Sequence, residues 1–240
     1  MVAIVIAGGR GHRLGALTTR YNKGALRFHG RPAIHWVIET LEAAHITHIY
    51  VVSGHGSESI KQALSGMHDS STAKINFIHG PEETIGMVQR IALAVPYLRD
   101  QQGAIVTGID SIISVEAMRS FAEAVELSLA SQKNVIHLLC AADVAPAPTH
   151  YLVHEINGEV MQHTSHNNAD ASCILRSVGI RYFPRGVLQR IYEDAVGWRG
   201  RNISPYITHL LLNGVEVRAS VMHGRWVHIG YVRDFRSPHP

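Results

Sequence analysis

The chain has only two cysteines in 240 residues, Cys140 and Cys173. Two are too few for a disulfide framework, and both lie among apolar neighbours, so they read as inert core thiols. No apolar run approaches the length of a membrane span, and no basic leader precedes the first apolar segment. A membrane anchor and a secretory signal are therefore not expected, and a cytoplasmic location is. Clustered charge of one sign is missing as well: 22 Lys and Arg against 19 Asp and Glu leave a net charge of +3, scattered along the chain. Nucleic acid is not implied as a partner. Internal repeats and low-complexity tracts are also absent. Seventeen histidines are the one unusual count. Pairs such as His45/His48 and His163/His166 lack a cysteine or third ligand at zinc spacing, so no structural zinc site is expected.

What is present is an ordinary globular balance, 46% hydrophobic and 17% charged, long enough to bury a substantial core. Its most informative stretch lies at the start. Residues 2–7 are β-branched and bounded by glycine, hence a buried strand opening into Gly8-Gly9-Arg10-Gly11. Glycines let the backbone approach a ligand, Arg13 offers a fork of donors to phosphate oxygens, and Lys23 adds a point charge. A dinucleotide fingerprint fails because Leu14 stands where glycine is needed, and a P-loop fails because Asn22 and Gly24 flank Lys23.

Strand and helix then alternate. Residues 48–52, 75–78, 104–107 and 135–140 read as strands; 32–44, 57–64, 87–95 and 118–129 read as helices, from apolar positions at helical spacing. Repeated βαβ units predict an α/β fold, a mainly parallel Rossmann-like sheet with helices on both faces and ligands at the C-terminal strand ends. Near residue 143 the pattern changes. Pro146 and Pro148 break the chain, and two strand-like runs, 151–156 and 159–164, flank Asn157-Gly158, a hairpin turn. A polar loop over 163–172 follows, then a strand at 174–183, helices at 184–192 and 203–212, and strands at 215–221 and 226–229. The expectation is one domain, 1–240, in which 1–142 binds nucleotide and 143–240 is a C-terminal α+β extension that supplies the acceptor side of a cleft.

Ala7, Gly8, Gly9, Gly11, Arg13, Leu14, Leu17, Thr18, Lys23, Gly30 and Pro32 stand in register with the pattern AGGxGTRLxPLT, Pro-Lys and a GKP-like turn. In these residues the chain resembles the sugar-nucleotide pyrophosphorylases, sugar 1-phosphate nucleotidyltransferases of the nucleotide-diphospho-sugar transferase, GT-A-like fold. His12 replaces a threonine, and Asn22 and Gly24 replace prolines. The resemblance covers nearly the whole chain in order, is specific at both ends and is weak in the middle. It implies an NTP and a sugar 1-phosphate, or a similar phosphorylated alcohol, as substrates. It also implies a divalent cation, Mg²⁺ or Mn²⁺, and in-line attack by the acceptor's phosphate on the α-phosphorus with loss of pyrophosphate.

Asp110, past the end of strand 104–107, is the matching metal ligand. As a helix cap it competes with the better-placed Ser114. The late Trp-x-Asp-Ile-Gly pattern is here Trp226-Val227-His228-Ile229-Gly230, with His228 where the family has its second metal-binding aspartate. Three readings of His228 stay open: a site shifted toward Mn²⁺, a one-carboxylate Mg²⁺ site with the imidazole on phosphate, or lost catalysis. Asp234 fits a helix-start residue. Gly80 and Gly86 match the segment bordering the base, and Gly86 reads equally as a helix cap. Ser177, Gly179 and Arg181 match the sugar-contacting strand, where Ser177 replaces asparagine, the usual Glu-Lys pair is missing, and Arg176 or Arg181 stands in. A glycosyltransferase using a nucleoside-diphosphate sugar and a non-catalytic nucleotide or nucleotide-sugar sensor are the rival readings. The base, the acceptor and the oligomeric state are not legible.

Overall fold

The computed structural model describes residues 1–67, 71–81, 85–131, 134–142, 152–164 and 174–236. The Pro146/Pro148 break, Glu82–Thr84 and most of the polar loop, with His166 and Cys173, lie outside them. The first strand, β1 (Val2–Ala7), is buried along its whole length, as its β-branched run demands of a central parallel strand. It leads into a 3₁₀ stretch over His12–Thr18, entered through Gly11 at φ 64° and kinked at Gly15, both in the left-handed region that glycine tolerates. A small hairpin, β2 (Arg27–Phe28) with β3 (Arg31–Pro32), hands the chain to helix α1 (Ala33–Ala43). That helix buries Ile34, Val37, Ile38 and Leu41 at the expected spacing.

The alternation continues through β4 (His48–Ser53), α2 (Ser57–Ser65), β5 (Lys74–His79), α3 (Met87–Ala94), β6 (Gly103–Gly108), β7 (Ser111–Ile113), α4 (Val115–Ala130) and β8 (Ile136–Ala141). The second half adds β9 (Leu152–Ile156), β10 (Glu159–Thr164), β11 (Ile174–Pro184), α5 (Arg185–Asp194), α6 (Ser204–Leu212), β12 (Val217–Val221) and β13 (Trp226–His228). Asn157 and Gly158 both take positive φ, 53° and 83°, so the β9–β10 turn has the primed geometry that Asn-Gly favours.

Among the described residues nine strands make one sheet in the order β5-β4-β1-β6-β11-β8-β12-β10-β9. The pairs β1–β4, β1–β6, β4–β5 and β8–β12 are parallel, and β11 runs antiparallel between β6 and β8. The sheet is α/β and mainly parallel, as expected. One core packs α1, α2 and α4 on one face, around Val5, Ile38, Ile49 and Phe121. The other packs α3, α5 and α6 on the opposite face, around Ile4, Ile91, Leu188 and Ile207. The second half differs from a plain extension in one respect: β11 is threaded into the middle of the first half's sheet, so strands from both halves share one row of edges. The last strand, β13, also leaves this sheet. It pairs antiparallel with β7, His228 opposite Ser111, in a separate two-stranded ribbon.

Candidate active site

The C-terminal ends of β1, β4 and β6 converge, and the chain after each carries the polar residues singled out above. Lys23 follows Asn22, which is fully buried and tied by three side-chain bonds and one from its backbone N. Its Nδ2 donates to the carbonyls of Ala7 and His55, its Oδ1 accepts from Gly24 N at 2.9 Å, and its backbone N donates to Ser59 Oγ at 2.9 Å. This clamp fixes the base of Lys23 against the end of β1. The ammonium then reaches Asp110, with Nζ to Oδ2 at 2.7 Å and only 11% of the lysine side chain exposed. Asp110 stands between β6 and β7. Ser114, not Asp110, caps α4, its Oγ accepting from Ala117 N at 3.3 Å, so the carboxylate is not used as a helix cap.

The β7–β13 ribbon delivers the late segment to this point. Ile229 N donates to Asp110 O at 2.8 Å, which sets His228 beside the Asp110 carboxylate. Asp234 pins the following turn, accepting from Gly230 N at 2.7 Å and Tyr231 N at 2.6 Å. It lies in the first turn of a 3₁₀ helix, Val232–Arg236, in keeping with the helix-start role the sequence suggests. Arg13 stacks over the Tyr231 ring at 5.0 Å. A β-carbon on Gly230 would lie 3.2 Å from His228 Nε2 and 3.4 Å from the Arg13 guanidinium carbon, so glycine is what lets the two side chains share that space.

Burial raises the carboxyl pKa of Asp110, but the Lys23 and His228 charges and the Lys23 hydrogen bond outweigh it and hold Asp110 well below the usual carboxylate range. Burial pushes His228 down, Asp110 pulls it up, and Lys23 and Arg13 push it down again, so the net shift favours the neutral imidazole. An ionised carboxylate beside a neutral imidazole is a donor pair that fits a divalent cation. Among the described residues no group of three or more His, Cys, Asp or Glu could hold a metal ion, so substrate oxygens and water would have to complete its shell.

A cavity of about 250 Å³ unites the two halves. Arg13, Gly108 and Asp110 line it from the first half of the sequence, and Ser177, Gly179, Arg181, Asn202, Ser204, Trp226 and His228 from the second. Thus Arg13, Asp110, Ser177, Gly179, Arg181 and His228 come together, with Lys23 bonded to their midst. Gly179 sits at φ 90°, with Ser111 Oγ 3.7 Å from where its β-carbon would be. Gly9 is exposed with nothing near it, and Gly11 turns the loop. Ala7 and Gly8 are buried at the strand end.

Gly80 and Gly86 answer to packing. A β-carbon on Gly80 would lie 2.6 Å from Ser53 O, and one on Gly86, which caps α3 with no side-chain bond, only 2.4 Å from Gly200 O. Two buried residues escaped the sequence reading. One is Asn22. The other is Arg90 in α3, whose guanidinium packs against Gly8, Gly54 and Gly80 and donates to Ser53 O at 3.0 Å. Three glycines at three strand ends were the signal for it, since together they leave room for one large side chain.

Two curated relatives are similar to the chain in sequence. Glucose-1-phosphate thymidylyltransferase of Streptomyces antibioticus is 24% identical over 98% of this chain and 64% of its own length, so the chain spans under two thirds of that relative. N-acetylmuramate alpha-1-phosphate uridylyltransferase of Neisseria meningitidis serogroup B is 30% identical over 57% of this chain and 61% of its own length. Among solved structures, the inositol-1-phosphate CTP transferase of T. maritima superposes with a TM-score of 0.78 at 15% identity, over 97% of this chain and 90% of that one, a likeness of fold. Residues 3–178 match the MobA-like NTP transferase domain, and the chain belongs to that family.

Proposed function

We propose that this protein is a nucleotidyltransferase that joins a nucleoside triphosphate to a sugar 1-phosphate, or a similar phosphorylated alcohol, giving a nucleoside-diphosphate sugar and pyrophosphate. The observation that carries the reading is the Lys23–Asp110 pair, 2.7 Å apart at the strand ends, in contact with a cavity that Arg13 and His228 also line. Residues 1–142 hold the nucleotide and 143–240 the acceptor, within one domain. The amides of Gly8, Gly9 and Gly11 and the Arg13 fork take the β- and γ-phosphates, and Gly80 and Gly86 are assigned to the segment bordering the base. Lys23 neutralises the phosphates flanking the scissile bond, and Ser177, Gly179 and Arg181 receive the acceptor.

The attacking phosphate oxygen is already anionic at neutral pH. A P–O bond forms at the α-phosphorus as the bond to the β-phosphate oxygen breaks, and no proton has to move, so no general base is required. Asp110 and His228 would hold a divalent cation, Mg²⁺ or Mn²⁺, which supplies further charge neutralisation on the phosphates. Pyrophosphate release tests the reading, measured over the common NTPs and sugar 1-phosphates with Mg²⁺, Mn²⁺ or chelator. Release that needs both an NTP and a sugar phosphate is the expected result. Turnover of a nucleoside-diphosphate sugar without pyrophosphate would replace it with glycosyl transfer, and NTP binding without turnover would make the protein a sensor.

A further inference from the structure

Arg181 is a buried cation in the cavity with one guanidinium nitrogen left without a partner. It projects from the middle strand β11, is 6% exposed, and lines the cavity together with Ser177. One guanidinium nitrogen donates to Gly179 O at 3.0 Å, while Nε has no partner. The Ser177 hydroxyl, 8% exposed, has none either. Among the described residues, Cys140, His163 and Asp110 bear on Arg181 electrically. Burial pushes the Cys140 thiol far up, so it stays protonated, and pushes His163 down, so it stays neutral. Asp110 is already engaged by Lys23. Burial lowers the Arg181 pKa only to about 10, so the guanidinium remains a cation at neutral pH. Among the described residues no carboxylate pairs with it, although a buried charge without a partner is strongly unfavourable.

The start of α6 lines the same cavity. Ile203 and Ser204 line the wall, and the helix begins there with no side-chain cap and with proline in its first turn. The amide end of a nine-residue helix, a buried guanidinium with no ion pair among the described residues and the Ser177 hydroxyl line one cavity, and each favours negative charge there. Arg13, in the same lining, and Lys23, bonded to Asp110, already have the triphosphate and the scissile bond to serve.

We propose that Arg181, Ser177 and the start of α6 form an anion subsite, and that the acceptor is a phosphorylated acid carrying a second anionic group besides the phosphate that takes the nucleotidyl unit. The subsite rests on the functional reading above for its role in turnover, but it can be measured by binding alone.

Isothermal titration of the full-length protein with glucuronate 1-phosphate, glucose 1,6-bisphosphate and glucose 1-phosphate makes the test, repeated with Arg181→Met and Ser177→Ala. The first two ligands separate a carboxylate from a second phosphate, and the third has neither. At least one doubly anionic ligand should bind about tenfold or more tighter than glucose 1-phosphate, the scale of one charge-assisted hydrogen-bond set. Arg181→Met should abolish that ratio, and Ser177→Ala should reduce it. Equal affinities for all three ligands, no binding of the doubly anionic ones at millimolar concentration, or a ratio unchanged by Arg181→Met would overturn the proposal. Should Arg181→Met fail to fold, the ligand ratio of the unmodified protein and its change in Ser177→Ala decide alone. Selective binding with no pyrophosphate release under any NTP would retain the subsite and reject nucleotidyl transfer, so the two failures are distinct.

Discussion

Replacing Lys23 by Met and Asp110 by Asn, singly and together, probes the centre of the site. Lys23 is nearly enclosed, held from behind by the Asn22 clamp, and its ammonium lies 2.7 Å from the carboxylate. A preorganised charge of this kind costs on the order of 2.7–4 kcal/mol of transition-state stabilisation when removed, or about 10²–10³ in turnover. Each single substitution should fall in that range. Because the two groups act on one another directly, the losses should not multiply. The double variant should turn over within about tenfold of the slower single one, where independent sites would give a loss of about 10⁴–10⁶. Steady-state pyrophosphate release at saturating NTP, with melting temperatures as a folding control, reads this out. Losses that multiply, or a Lys23→Met protein with most of its activity, would refute the idea that the pair works as a unit.

Asn22→Ala strips donors from the carbonyls of Ala7 and His55 in a fully buried spot, and should cost about 2–4 kcal/mol of stability in denaturant titration while also lowering turnover. His137 and His163 are buried, and burial lowers them to about 4 and about 3. The unfolded chain takes up protons below about pH 6.5 that the folded chain refuses, so stability is full above pH 6.5 and falls as pH drops toward 4. The expected slope is about 1.4 kcal/mol per pH unit for each residue, and His137→Leu should flatten it in pH-dependent urea titrations. Gly80→Ala should lower the melting temperature because its β-carbon meets backbone, whereas Gly9→Ala, in open space, should leave it unchanged. His228→Asp should shift the ratio of Mg²⁺- to Mn²⁺-supported activity toward Mg²⁺, read in parallel metal titrations.

Much of this architecture was legible because it is local. The β-branched run of β1, the helical spacing of Ile34, Val37 and Leu41, and Asn157-Gly158 each fix a backbone conformation by themselves, and each is found as read. Ser114 was the better cap on spacing alone, which left the Asp110 carboxylate to face the cavity. Placement of partners was less legible. Nothing in residues 174–183 announces that their strand inserts between β6 and β8, because strand pairing across the chain leaves no local periodicity. The ribbon of β7 with β13 escaped for the same reason, since residues 111–113 carry no element in the sequence reading and the strand at 226–229 no partner. Asn22 read as a lost proline, and only its contacts reveal the clamp.

Phosphorus NMR of the purified protein with an NTP, a sugar 1-phosphate and Mn²⁺-free Mg²⁺ buffer tests the central claim most directly, because both products carry distinct signals. The account predicts pyrophosphate and a nucleoside-diphosphate sugar appearing in equal amounts and together, only when both substrates are present. Loss of NTP to inorganic phosphate alone, or an unchanged spectrum with NTP bound, would contradict it.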